Sequence, residues 1–175
     1  MSKHMKFLCL ITTFLYTASF PPSLSCEAQS VKSRGNFERT EILLSSAQQP
    51  TKQQLEQLAR EGVQVCYKSM APYFEQHLAS ERNKLAGYGG LSSSAYDQIT
   101  SQIAISLGVA LVNQISDLAN NLPKDVGALF LDFCSVEIKK AVGTFCQTNN
   151  IKHSSYIDDR IMDQLKFRKL RFIMA

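Results

Sequence analysis

The sequence predicts an all-α protein: a compact bundle of four to five helices that we expect to be stapled by disulfide bonds. Apolar residues recur at helical spacing over several long stretches, and no stretch alternates cleanly enough to be a β-strand. The chain has 175 residues, of which 45% are hydrophobic and 19% are charged. This composition suits a single domain with its own core and excludes a largely disordered chain.

The first 25 residues have the three-part order of a signal peptide. Two lysines precede the uncharged residues 7–20, and residues 23–25 then offer the small side chains of a cleavage site. The apolar stretch is shorter than the roughly 20 residues that span a bilayer. We therefore expect a secreted protein, cleaved after Ser25 or after Ala28, in preference to a buried N-terminal helix.

Cys26 directly follows the first of these cleavage positions, where a bacterial lipoprotein carries its acylated cysteine. A lipoprotein signal usually has leucine three residues before that cysteine. Here Ser23 occupies the position, and Leu24 comes one residue late. Free secretion is therefore favoured over a periplasmic protein or a lipoprotein anchored at Cys26.

The rest of the chain divides into a polar N-terminal arm (residues 26–50), a helical bundle domain (51–165) and a basic-apolar C-terminal tail (166–175). Residues 1–159 hold fourteen basic and fourteen acidic side chains, whereas residues 160–175 hold five basic and one acidic. The net charge of +4 therefore belongs to the C-terminal end of the chain. Because the body of the protein has no excess positive charge, we do not expect nucleic acid as a partner.

The first helix is expected to begin at Thr51, which forms a capping-box pair with Gln54. Pro72 removes one backbone hydrogen bond and is expected to kink or break this helix. Gly87 occupies a position typical of a C-terminal stop. The apolar face of the helix before Pro72 consists of Leu55, Leu58, Ala59, Val63, Val65, Cys66 and Met70.

The second helix, roughly residues 95–120, is expected to be the central one. Nineteen consecutive uncharged residues follow Asp97, and apolar residues cover more than half of the helical wheel, so this helix requires neighbours on several sides. The glutamine, serine and asparagine residues within it are costly in lipid, which favours a core helix over a membrane-inserted one. Ala104 and Gly108 would let one neighbouring helix approach closely.

Two further helices complete the predicted bundle. Pro123 opens the third, because proline is tolerated in the first turn. The last begins near Ser155, and its apolar face consists of Ile157, Ile161 and Leu165. After Lys166 no period is clean, because Arg168 falls within the apolar face, so we expect the tail to fray.

Four cysteines remain if a signal peptide ends at Ser25, and the oxidising environment of an exported protein favours disulfide bonds. Cys134 and Cys146 would lie about 18 Å apart along one helix, beyond the reach of a disulfide. Cys66 and Cys134 both lie on apolar faces and are expected to join the two helices that carry them, which leaves Cys26 to pair with Cys146. The alternative is that Cys66 and Cys134 remain buried thiols.

No set of residues points clearly to catalysis or to metal binding, and we expect no cofactor. His77 and Glu81 lie one helical turn apart, but no third metal ligand is evident. Glu137 falls within an apolar face, where a buried carboxylate would be a candidate acid or base. We favour a solvated helix face for His77 and Glu81, and an edge position near Lys140 for Glu137.

The C-terminal tail is the best functional lead, because it interleaves basic and apolar side chains. Anionic lipid surfaces attract such a segment through its charges, and its apolar side chains enter the interface. The candidate contact residues are Lys166, Phe167, Arg168, Lys169, Arg171 and Phe172.

The sequence therefore predicts a secreted, effector-like helical protein that binds a protein partner and has no catalytic activity. Binding to a lipid or membrane surface through the basic-apolar tail is the alternative. A hydrolase that uses Glu137 or His77 is the third and weakest hypothesis.

Overall fold

A computed structural model describes residues 50–87 and 93–174 of the chain. These residues form four helices and no strand: α1 (Lys52–Gly87), α2 (Ser93–Ala119), α3 (Lys124–Thr148) and α4 (Ser155–Met174). The predicted all-α class and the compact helical bundle are confirmed. The proposed signal peptide, Cys26 and the arm up to residue 49 lie outside the described residues.

The helices are arranged with α2 and α3 in the middle and α1 and α4 on opposite sides. Each of the two middle helices packs against all three others, whereas α1 and α4 have at most a marginal contact with each other. Gly62 of α1 faces Ile115 near the end of α2, and Gly127 near the start of α3 faces Phe172 near the end of α4. Within each of these two pairs the helices therefore run antiparallel.

The core lies between the middle helices and the inner faces of the outer two. Its largest fully buried side chains are Leu78, Leu107, Leu111, Ile115, Phe130, Leu131, Ile138, Phe145, Ile157 and Ile161. The central position predicted for α2 is confirmed, and α3 shares it. Ala104 is fully buried, and Gly108 lies directly against Ile161 of α4, so the close approach predicted at these two residues also occurs.

The start of α1 follows the sequence prediction closely. The Thr51 backbone N–H donates to Gln54 Oε1 at 2.8 Å, and the Gln54 backbone N–H donates to Thr51 Oγ1 at 3.3 Å. This reciprocal pair is the expected capping box, which satisfies backbone donors that the first turn of a helix leaves unpaired. Gly87 is still helical and does not adopt the left-handed conformation of the predicted stop, and residues 88–92 after it lie outside the described residues.

Of the kink or break predicted at Pro72, the break is wrong, because α1 continues through it as a single helix of 36 residues, whereas the kink stays a prediction. Proline costs one backbone hydrogen bond, but the residues around it contribute directly to the core. Ala71, Phe74 and Leu78 are all buried on the bundle side of α1. Tertiary packing of one face supplies most of the stability of a helix in a folded protein, and here it offsets the local cost of Pro72.

Among the described residues the predicted disulfide stapling is not present. Cys134 and Cys146 carry free thiols, so the structure forms neither the Cys66–Cys134 bridge nor the Cys26–Cys146 bridge. Both thiols are fully buried among apolar side chains of the core. There they serve as small hydrophobic groups, which is the common role of a buried cysteine.

Burial gives these two thiols a measurable effect on the pH dependence of stability. Burial raises the pKa of the Cys146 thiol from 9.0 to about 11, and the carboxylate of Asp158 adds to this shift. Burial also raises the pKa of Cys134, with smaller contributions from Cys66 and Glu137. A thiol with a raised pKa in the folded state stabilises the fold below its unfolded pKa, and this contribution is lost as pH rises through the folded pKa.

We therefore expect the free energy of unfolding to fall between pH 9 and pH 11, the interval between the two Cys146 pKa values. Urea unfolding across this interval measures the effect. Burial also raises the pKa of Tyr67, and this shift likewise lowers the free energy of unfolding as pH rises. Comparison with Cys146→Ala separates the contribution of the Cys146 thiol from that of Tyr67. The variant should show a shallower decline than the parent, and an identical decline in both proteins would contradict the assignment to Cys146.

Candidate functional site

Helix α4 carries large apolar side chains on two opposite faces. Its inner face buries Ile157, Ile161 and Leu165 against the bundle. Within residues 50–87 and 93–174, no helix covers the outer face, since α4 packs only on α2 and α3 to any substantial extent. Apolar side chains on that outer face have no role in the core.

The outer face carries a contiguous group of exposed apolar residues in the second half of the helix. Phe167 is 53% exposed, Leu170 58%, Ile173 49% and Met174 84%. Residues three and four apart are neighbours on a helix surface, so these four form one continuous strip. We refer to them as the α4 strip.

Two cations border the α4 strip. The Lys166 side chain is 75% exposed and lies 3.5 Å from a carboxylate oxygen of Asp163, which is also exposed. The Arg171 side chain is held beside the strip, because its guanidinium lies 5.9 Å from the centre of the Phe167 ring. Lys166, paired with Asp163, therefore lies at the N-terminal end of the strip, and Arg171 lies beside Phe167.

The six residues predicted to contact an anionic surface do not lie on one face. Lys166, Phe167 and Arg171 belong to the outer face just described, whereas the other three turn towards the bundle. Arg168 donates to Asn113 Oδ1 of α2 at 2.8 Å. Lys169 donates to both carboxylate oxygens of Asp132 of α3, at 2.6 and 2.7 Å.

Phe172 is the third residue that turns inward, and it packs over Gly127 of α3. A Cβ atom at Gly127 would lie 2.5 Å from Phe172 Cζ, so the ring occupies the space that the glycine leaves. Phe172, Arg168 and Lys169 together attach the end of α4 to its neighbours. The predicted fraying after Lys166 is therefore wrong, and α4 continues to Met174.

The structure adds Leu170, Ile173 and Met174 to the candidate site. In the sequence, Leu170 and Met174 follow Phe167 at the helical spacing of three and then four residues, and Ile173 follows Leu170 by three. The inward-facing Leu165 and Phe172 belong to a second apolar face of the same helix. Two apolar faces on one helix cancel the periodicity that marks a single amphipathic face, which is why no clean period follows Lys166.

Exposed apolar surface continues from α4 onto the adjacent face of α3. Leu129 and Val136 are exposed and lie three residues before and four residues after Asp132. Asp132 is the partner of Lys169, so this ion pair lies at the boundary between the two helices. The apolar surface around the second half of α4 is therefore broader than the strip alone.

The carboxylates considered for acid–base chemistry are engaged in ordinary ion pairs. Glu81 accepts a hydrogen bond from Lys84 at 2.7 Å, and Glu137 accepts one from Lys140 at 2.8 Å. Both pairs join residues three apart on one helix, as in many solvent-facing helices. Among the described residues no group of three or more His, Cys, Asp or Glu side chains is placed to hold a metal ion.

A Cys, a His and an Asp come near one another where α3 ends and α4 begins. His153 Nε2 lies 3.0 Å from Asp158 Oδ1. The negative charge of Asp158 also acts on Cys146, whose thiol is fully buried and has a raised pKa of about 11. A nucleophilic cysteine needs an accessible thiolate, usually with a lowered pKa, so Cys146 does not fit that role.

Helix α2 is long and apolar enough to cross a membrane by length and composition alone. More than half of the relevant stretch is buried inside the bundle, as in the core helix of a soluble protein. The buried side of α2 is already occupied by the other three helices. The contiguous exposed apolar side chains therefore lie on α4 and not on α2.

Comparison of the chain with protein-family models, with curated proteins and with solved structures found no match.

Proposed function

We propose that this is an exported helical binding protein that acts through a contact surface, without catalysis. The observation that supports the proposal most directly is the α4 strip, four large exposed apolar side chains side by side on a helix whose opposite face is fully packed. Contiguous exposed apolar surface is uncommon on monomeric soluble proteins and often marks a binding site. Export is part of the proposal and rests on the pattern of residues 1–25.

The contact surface in this proposal is the α4 strip together with Lys166 and Arg171. These side chains are available without rearrangement, because the inward-facing residues of α4 hold the helix in place. A protein partner and an anionic lipid surface are the two binding partners that the sequence suggests. Either would cover the same outer face.

Site-specific photo-cross-linking tests whether this face makes the contact. The full chain carries a photoreactive amino acid in place of Leu170 and is exported from the source cells. The matched control carries the same group in place of Gln64, an exposed residue of α1. We expect a discrete adduct, with protein or with lipid, from position 170 and none from position 64. No adduct at 170, or equal labelling at both positions, would overturn the proposal.

A further inference from the structure

We propose that the α4 strip docks on an anionic lipid surface. This inference rests on the proposed function and names the partner of the same face. The first argument is charge: five basic side chains and one acidic side chain lie in residues 160–175, which accounts for the whole net charge of +4. Helix α4 as a whole holds these five basic residues against Asp158, Asp159 and Asp163, so the helix that exposes the apolar strip keeps a net charge of +2, which an anionic surface attracts.

The arrangement of apolar and basic side chains matches the depth profile of a lipid interface. Phe167, Leu170 and Met174 project together from one face and can enter the boundary between headgroups and acyl chains. Lys166 and Arg171 flank them and, as long side chains, can keep their charged ends at the level of the headgroup phosphates. An amphipathic helix lying in the plane of a membrane has this distribution of charges around an apolar strip.

Two acidic groups close to the strip are paired with lysines: the exposed Asp163 with Lys166 at 3.5 Å, and Asp132 of α3 with Lys169. No acidic residue follows Asp163 in the chain. The carboxylate of Asp132, on the adjacent face of α3, is bound by Lys169 through both oxygens. Lys169 thus neutralises the nearest acidic group of α3, Lys166 is paired with Asp163, and Arg171 lies beside Phe167 on the outer face.

A second copy of the chain is a poorer match for this face. Even with Leu129 and Val136 of α3, the exposed apolar surface here comes from only six side chains. Stable protein interfaces bury about 1,200–2,000 Å² and involve some 20–30 residues on each side.

The docking surface is already folded before it meets the lipid. Arg168, Lys169 and Phe172 fix the second half of α4 against α2 and α3. Isolated amphipathic segments must pay the ordering entropy of helix formation on binding, whereas this helix does not. Binding is therefore expected to leave the helical content of the protein unchanged.

Vesicle flotation of the full chain tests the proposal. The probes are vesicles of phosphatidylcholine alone and of phosphatidylcholine mixed equally with phosphatidylserine. We expect flotation with the mixed vesicles only. Because each basic residue near an anionic surface contributes roughly a factor of five, Lys166→Glu with Arg171→Glu should weaken binding by about tenfold or more.

The apolar contribution is tested by Leu170→Gln with Met174→Gln, which should also abolish or strongly weaken flotation. The matched controls lie on α1 and make the same chemical changes at exposed positions. Arg60→Glu with Lys68→Glu repeats the charge reversal, and Val65→Gln with Tyr73→Gln repeats the loss of exposed apolar side chains. Circular dichroism of every variant should show the helical content of the parent.

The outcomes separate this inference from the proposed function. No flotation, or equal loss in the α1 controls, overturns lipid docking. If the charge variant loses binding while the apolar variant binds fully, lipid docking is also overturned. Attraction to any polyanion, including a soluble one, would then explain the binding. A protein adduct from position 170 without vesicle binding would overturn lipid docking and support the proposed function, whereas absence of both signals would overturn both.

Discussion

Replacing Phe145 with alanine is expected to lower the free energy of unfolding by about 3–5 kcal/mol, the range for deleting a large buried aromatic side chain. Phe145 lies on α3 and is completely buried. Helix α3 packs against all three other helices, so the substitution leaves a cavity at the centre of the bundle. The loss includes both the transfer of the ring from water and the cavity that the neighbours cannot fill.

Urea unfolding followed by circular dichroism measures this loss. The matched control is Phe167→Ala on α4, where the ring is 53% exposed and lies outside the core. The control should change the free energy of unfolding by no more than about 0.5 kcal/mol, as expected for an exposed position. Similar losses in the two variants would show that Phe145 does not occupy the core position described here.

Gly108→Ala should be destabilising, although alanine is the better helix former. A Cβ atom at this position of α2 would lie 2.2 Å from Cδ1 and 2.6 Å from Cγ1 of Ile161. Ile161 is fully buried in α4, and its β-branched side chain has little rotational freedom in a helix. Overpacking costs about 1–3 kcal/mol, and the gain in helix propensity of up to about 1 kcal/mol offsets only part of it.

Gly62→Ala makes the same chemical change where there is room for it. The nearest atom to a Cβ there is Ile115 Cδ1, at an ordinary contact distance of 3.7 Å. This variant should raise the free energy of unfolding by about 0.5–1 kcal/mol through helix propensity alone. Opposite signs for the two glycines are the expected result, and stabilisation by Gly108→Ala would show that α2 and α4 do not approach as closely as described.

Much of the fold follows from local sequence signals. The Thr51–Gln54 capping box defines the start of α1 without reference to any other part of the chain. The uncharged run of α2 predicts a helix with neighbours on several sides, which the structure confirms. These signals succeed because a cap is made by residues a few positions apart, and because a helix with a broad apolar surface must bury it.

The candidate site was only partly predictable, because the helix that carries it faces two environments. Lys166, Phe167 and Arg171 were predicted and lie on the outer face. Arg168 and Lys169 were predicted for the same surface but bind partners in the bundle that lie 55 and 37 residues away in the sequence. No local pattern identifies such partners.

The sequence by itself determined the helical class, the start of α1, and the concentration of positive charge at the C-terminal end of the chain. All of these depend on composition or on contacts between residues close together in the chain. Only the tertiary structure decided that α1 continues through Pro72 and that the end of α4 is ordered. It also decided which side of α4 is open to a partner. Each of these outcomes depends on packing between helices distant in the sequence, where burial of a shared face outweighs the preferences of individual residues.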